Sequence, residues 1–257
     1  MIKNTSVTLE AKTLTVVMPC FNESDGIEAT LREWTEILDR EVLDYELLVI
    51  NDGSTDGTGR ILDRLRRELR SLRVIHQLNT GYGNAVRRGC ELARGKYILQ
   101  VDPNGRYESS DFLAMWKQRT DYHLILGVRD PAMGGLLEQA FTPVMTRLAY
   151  YLFGSAPKDP NVPFRLFRKD IASPYFNRLP QEFECVNLCV ALEMKRDHGS
   201  AVGECPIQLR RLSGGKERCS LLSQLDQGMS LLTELVRLRF TLAKTKTSRL
   251  HSATSLS

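Results

Sequence analysis

Long apolar runs are missing from this sequence. No stretch approaches the roughly 20 consecutive apolar residues that a membrane-spanning helix needs, so no spanning segment is expected. The first twelve residues are mixed and polar and do not read as a signal peptide. Cysteines are few, and none of the six (Cys20, Cys90, Cys185, Cys189, Cys205, Cys219) falls in a CxxC pair or beside a His at ligand spacing. That pattern argues against a zinc cage and a disulfide framework and fits a reducing, cytoplasmic setting. His76, His123, His198 and His251 form no spaced pair, so they suggest no metal triad. Charge is nearly balanced at +4, too mild for a dedicated nucleic-acid binder, although Arg237, Arg239, Lys244, Lys246 and Arg249 gather near the end. What is present is length: 257 residues, 42% of them hydrophobic, are enough to bury a full α/β core without staples.

The order of patterns along the chain specifies that α/β class. Short β-rich runs at residues 14–18, 46–50, 73–76 and 97–101 alternate with helical patterns, the signature of a mostly parallel, Rossmann-like sheet. Ile27, Leu31, Trp34 and Leu38 recur at helical spacing after the first run, and Ile61, Leu62, Leu65 and Leu69 after the second. A helical stretch is expected from Asp111, a fifth strand at 123–128 and a long helix over 136–153 with Gly154 as its C-cap. Beyond it come a Pro-rich loop at 158–161, a short strand at 164–167, a helix at 186–195 and a strand at 205–209. Leu221, Leu222, Leu225, Met229, Leu232, Val236 and Phe240 mark an amphipathic C-terminal helix over about 220–243, and residues 245–257 read as a disordered polar tail. The expected organisation is a single domain over 1–244, with a donor half at about 14–104 and an acceptor half at about 105–215.

Ligands of an open parallel sheet bind beyond the carboxyl ends of its strands. The four expected strands run into Pro19-Cys20-Phe21-Asn22-Glu23, into the segment from Asn51 to Asp56, into Asn79-Thr80-Gly81-Tyr82-Gly83 and into Asp102-Pro103-Asn104. Each loop taken alone has a plain explanation, because Pro, Asn, Gly and Asp stop strands and cap helices. Four such loops in register converge on one crevice.

In combination, VVMPCFNE, LLVINDGSTDGT, NTGYGNAVRRGCELARGKYILQVDPNG and DPNVPFRLFRKD resemble the successive motifs of family 2 glycosyltransferases of the polyprenyl-phosphate type, over residues 14 to about 215. The resemblance implies a GT-A fold, a nucleoside-diphosphate sugar as donor, a divalent cation (Mg or Mn) and inversion at the anomeric carbon. Carried over by position, it implies that Pro19, Phe21 and Glu23 line the nucleoside pocket and that Asp52 accepts hydrogen bonds from the base. Gly81 and Gly83 would allow close backbone approach to the nucleotide. Asp102 would hold the cation and a ribose hydroxyl, with Asn104 as the second metal residue.

Asp102-Pro103-Asn104 departs from the family's usual Asp-x-Asp. Asn keeps a carbonyl oxygen but removes one negative charge, which weakens a site for a hard cation. The glutamine often found just after the motif is replaced by Arg106. Leaving-group charge must be stabilised as the bond to the diphosphate breaks, and Arg129, Arg165 and Arg211 match family arginines that address phosphate groups. An anionic phosphate acceptor needs no strong base, whereas a sugar hydroxyl does, and Glu182 and Glu184 are the nearest candidates for one. A polyprenyl phosphate at the cytoplasmic membrane face is therefore the expected acceptor. A saccharide or small-molecule hydroxyl is the alternative, and a non-catalytic sugar-nucleotide binder is a third reading motivated by Asn104. A NAD-dependent dehydrogenase is set aside, because no GxGxxG follows the first strand. The C-terminal helix reads as folded onto the domain or as a peripheral membrane contact, and the sequence is silent on oligomeric state.

Overall fold

Unbroken apolar character in the first strands demands cover on both faces of a sheet. The computed structural model, which describes residues 12–42, 44–130, 136–210, 233 and 235–239, provides it. Strand β1 (Lys12–Cys20) is buried from Leu14 onward and β2 (Tyr45–Asp52) is buried throughout. Between them α1 (Ile27–Glu41) turns Ile27, Leu31, Trp34 and Leu38 inward, the stripe that helical spacing predicts. Trp34 then packs edge-on against Phe112, with ring centroids 6.1 Å apart, and beside Phe164 at 6.2 Å, so it joins the two halves of the core.

The remaining elements follow as α2 (Thr58–Glu68), β3 (Leu72–Gln77), α3 (Tyr82–Leu92), β4 (Gly95–Val101), α4 (Phe112–Lys117), β5 (Leu124–Arg129), α5 (Leu136–Phe153), β6 (Phe164–Arg168), α6 (Lys169–Arg178), α7 (Val186–His198) and β7 (Val202–Ile207). They form one seven-stranded sheet in the order β3-β2-β1-β4-β6-β5-β7. The first four strands in that order are mutually parallel and β5 is parallel to β7, while β6 runs antiparallel between β4 and β5. Pairing of Cys20 with Asn51 and of Asp52 with Gln77 brings the carboxyl ends of β1, β2 and β3 to one rim.

Two elements differ from the sequence reading. Helix α6 has no counterpart there; it carries Pro174 in its interior, and its buried apolar face (Ala172, Tyr175, Phe176) outweighs the missing N–H. Strand β7 lies three residues upstream of the expected start, where Val202 and Gly203 pair with Leu124 and Ile125. Gly154 does close α5, with φ of 75° and its N–H on the Tyr150 carbonyl at 2.7 Å.

Most of the expected C-terminal helix, the polar tail and Arg211 lie outside the described residues. Residues 235–239 are helical, with Leu235 and Leu238 fully buried, whereas Val236, expected on the apolar stripe, is 45% exposed. Among the described residues no helix is long and apolar enough to cross a membrane.

Candidate functional site

The loops after β1 and β2 are stitched to each other rather than left to water. Asn22 sits at φ of 56°, a left-handed position that Asn tolerates, and its N–H donates to Ser54 Oγ at 2.9 Å while its Oδ1 receives Thr55 N–H at 2.8 Å. Glu23 N–H donates to Thr58 Oγ1 at 2.9 Å, and Ser24 N–H to Asp56 at 3.1 Å. Asp56 also accepts the Thr58 N–H at the start of α2. Pro19 is buried at the end of β1, while Phe21 is 46% exposed at the mouth of the crevice.

Asp52, 4% exposed, fastens the next loop. Its Oδ1 accepts from Gln77 Nε2 (2.8 Å), Thr80 N–H (2.9 Å) and Thr80 Oγ1 (3.1 Å), and its Oδ2 from Gly81 N–H (3.0 Å). The carboxylate expected to read a base is thus first a clamp on the β3–α3 turn. The two glycines of that turn also differ from expectation. A Cβ on Gly81 would stand 2.2 Å from Glu184 Oε1, and one on Gly83 would stand 2.3 Å from the Phe183 carbonyl. The close approach they permit is by the chain at 183–184, not by open space for a nucleotide. Glu184 Oε2 then receives Gly83 N–H at 3.0 Å, placing an exposed carboxylate on the N-terminus of α3, where helix dipoles favour it.

Asp102 stands half-buried just past the end of β4. Its Oδ1 accepts the Tyr82 hydroxyl at 3.1 Å, and that hydroxyl itself accepts from Gln100 Nε2 (3.0 Å) and Asn187 Nδ2 (3.2 Å). With both lone pairs filled, the single phenolic hydrogen is directed to Asp102. Gln100 and Asn187 are essentially fully buried, and their side-chain carbonyl oxygens have no partner among the described residues, a cost accepted to hold Tyr82. Burial pushes the Asp102 carboxyl up to about 7; Tyr82 acts against that rise, the Glu23 carboxylate adds to it, and Arg129 and Arg165 oppose it. Glu23, Asp102 and Arg129 therefore share one electrostatic neighbourhood.

Asn104 is a turn-former here: its Oδ1 accepts the Arg106 N–H at 3.1 Å, followed by Gly105 at φ of 70°. No cluster of three His, Cys, Asp or Glu side chains able to hold a metal exists among the described residues. A cation caged by protein alone does not fit. One carried in by a diphosphate fits, because Mg-type sites use one or two carboxylates plus phosphates, and Asp102 Oδ2 has no protein partner among the described residues.

The arginines are already engaged. Arg129 forms a two-pronged pair with Asp159, at 2.6 and 2.9 Å. Arg165 is a correction: it is 0% exposed, and its guanidinium donates to the carbonyls of Val162 (2.9 and 2.6 Å), Asn187 (2.7 Å) and Pro160 (3.1 Å). Pairing of residue 165 with Gln100 and Leu126 puts it mid-sheet, so it shapes the floor and presents no fork to a phosphate. Sequence reasoning missed Tyr82, Gln100, Asn187 and Asp159. Gln100 had a signal, a polar residue inside the apolar strand Gly95–Val101.

A model of the family described as glycosyl transferase family 2 matches residues 15–172. A dolichyl-phosphate beta-glucosyltransferase of Dictyostelium discoideum is 24% identical over 247 residues, 88% of this chain and 74% of that protein. A second, from Trichomonas vaginalis, is 25% identical over 222 residues, 80% and 68% of the two chains. Among solved structures, glucosyl-3-phosphoglycerate synthase from Mycobacterium tuberculosis, in complex with Mn2+, UDP and phosphoglyceric acid, superposes with a TM-score of 0.65 at 17% identity, over 89% of this chain and 78% of that one. Likeness at that level concerns the fold, which is of the GT-A type.

Proposed function

Because this chain belongs to glycosyl transferase family 2, we propose that it moves a glucosyl unit from UDP-glucose to a polyprenyl phosphate at the cytoplasmic face of a membrane, inverting the anomeric carbon. The observation that carries the reading is the likeness to dolichyl-phosphate beta-glucosyltransferases along nearly the whole chain, 88% of it in one case, at a crevice built around Asp102. The nucleoside lies between the Pro19–Phe21–Glu23 loop and Asp52, whose Oδ2 has one further lone pair for a base N–H. The diphosphate reaches Asp102. A polyprenyl phosphate oxygen is anionic at neutral pH and needs no strong base; it attacks C1 opposite the diphosphate, and the C1–O electron pair departs with UDP. A β-linked product from an α-linked donor is the inverted outcome of that single displacement.

Asp102 is the residue that would hold Mg or Mn, and the cation, when bound, neutralises charge on the leaving diphosphate. Exposed Arg237 and Arg239 suit an anionic lipid surface, which supports a peripheral contact. The test is incubation of the protein with radiolabelled UDP-glucose and polyprenyl phosphate in detergent, followed by organic extraction, with GDP-mannose and free saccharides as parallel substrates. Glucose in the lipid phase, lost in Asp102→Ala, is the expected result. Label passing only to a water-soluble saccharide overturns the lipid acceptor, and absence of turnover with any sugar nucleotide overturns the donor assignment.

A further inference from the structure

Four arginines stand around the loop that follows β4, and they differ in what holds them. Arg129 is clamped by Asp159, Arg165 by three backbone carbonyls, and Arg210 by Glu33 and Glu108 together. Arg106 is different. Its side chain is half-buried, and it has no hydrogen-bonded or ion-paired acidic partner among the described residues.

Its backbone is nevertheless fixed on both sides. The Arg106 N–H goes to Asn104 Oδ1 at 3.1 Å, and its carbonyl receives the Arg210 N–H at 2.8 Å. The next residue, Tyr107, bridges to Leu209. The guanidinium also shares its surroundings with the candidate site: the Tyr107 hydroxyl, pushed up by burial and by Asp102, is pulled the other way by Arg129 and Arg106. A rigid loop thus offers one carboxylate, one amide spent on its own turn, and one guanidinium with no acidic partner among the described residues.

We propose that Arg106 binds the diphosphate of the donor beside Asp102, supplying fixed positive charge that lets a nucleoside diphosphate bind without a divalent cation. The inference rests on the reading of this crevice as a nucleotide-sugar site. Its physical basis is the match between a planar two-pronged donor and phosphate oxygens, and a neutral amide rather than a second carboxylate at position 104. Charge-assisted hydrogen bonds of this kind are worth roughly 10- to 100-fold in affinity.

The experiment is calorimetric titration of the full chain with UDP and with uridine, in EDTA and in manganese, for wild type, Arg106→Gln and Arg106→Lys. Wild type is expected to bind UDP in EDTA within about tenfold of its affinity in manganese. Arg106→Gln should weaken UDP binding in EDTA by roughly 10- to 100-fold, leave uridine unchanged and respond more steeply to manganese, with Arg106→Lys between the two. The proposal is overturned if wild type binds UDP only with manganese, or if Arg106→Gln leaves UDP affinity in EDTA unchanged or lowers UDP and uridine equally. In those cases UDP binding itself still stands. If wild type binds no UDP under either condition while remaining folded, the uridine-nucleotide reading falls with it.

Discussion

Replacing Asp52 with Ala is expected to unfasten the turn between β3 and α3 as well as to remove the proposed contact to the base. Asp52 accepts four hydrogen bonds while only 4% exposed, two of them from the backbone N–H groups of Thr80 and Gly81 at 2.9 and 3.0 Å. The Gln77 amide and the Thr80 hydroxyl can turn to water, so their loss costs little. Two backbone donors to a carboxylate are worth about 1.5 kcal/mol each at the lower end of the range suited to this exposed turn, giving about 3 kcal/mol for Asp52→Ala. For a chain of this size that corresponds to a fall in Tm of about 6–12 °C. Asn keeps the acceptor facing Thr80 but turns an amide N–H toward Gly81 N–H, so Asp52→Asn should cost about half as much.

Urea unfolding at constant m, beside calorimetric titration with UDP, separates the two roles of the residue. The expected order of stability is wild type, Asn, Ala, with nucleotide affinity falling in the same order because the turn borders the proposed nucleoside pocket. If Asp52→Ala keeps the wild-type urea midpoint and loses only affinity, the carboxylate is a base contact alone and the reasoning from its four bonds is refuted.

Tyr82→Phe removes the hydrogen given to Asp102 and strands the amides of Gln100 and Asn187; a loss of about 1–3 kcal/mol in urea and more than about tenfold in turnover is expected, and unchanged turnover would sink the positioning role. Asn104→Asp keeps the oxygen that accepts the Arg106 N–H and adds a charge, so half-maximal UDP binding should need less manganese, whereas coincident titration curves would show that residue 104 does not face the cation. Arg165→Met leaves three buried carbonyl groups unpaired and should destabilise by about 3–5 kcal/mol, seen as a collapse of the melting transition; a stable variant defective only in transfer would restore Arg165 to the phosphate site. The Arg210 clamp should be acid-labile. Burial works against the Glu33 charge but Arg210 outweighs it, and Arg210 likewise holds Glu108 low, so both contribute stability above their unfolded value of 4.5 and lose it as pH falls through the lowered folded values. The urea midpoints of wild type and Arg210→Gln should differ at neutral pH by of order 1 kcal/mol, after allowance for screening of these partly exposed groups, and converge in acid; a gap that persists in acid would contradict the clamp.

The first hundred residues were the more legible part of the sequence, for a physical reason. Strand and helix periods there repeat without interruption, and the chemistry-bearing loops sit where a parallel sheet must deliver them, as the pairing of Cys20 with Asn51 and Asp52 with Gln77 confirms. What sequence spacing cannot convey is the choice of a distant partner. The space beside Gly83 is filled by Phe183 and Glu184, about a hundred positions later, and one prong of Arg165 is taken by the Asn187 carbonyl, 22 residues on, while the chain at Pro160 and Val162 turns back to take the rest. Helix α6 has no reading in the sequence, because Pro174 breaks its local pattern while buried Tyr175 and Phe176 hold the helix on the core.

Charge around Asp102 explains why the arginines of such a sequence are hard to assign. Glu23, Arg129 and Arg165 act on the Asp102 carboxyl, and Asp159, Arg129 and Arg106 act with Asp102 on the Tyr107 hydroxyl, so charges of both signs already face one another in the folded crevice. A buried Asp159 at 5% exposure needs Arg129 for its own solvation, and releasing that arginine to a phosphate would leave an uncompensated buried charge. An incoming diphosphate therefore cannot draw freely on Arg129 or Arg165. Its countercharge has to travel with it as a cation or be waiting without a prior commitment, and among the arginines described around this loop that second condition is met by Arg106.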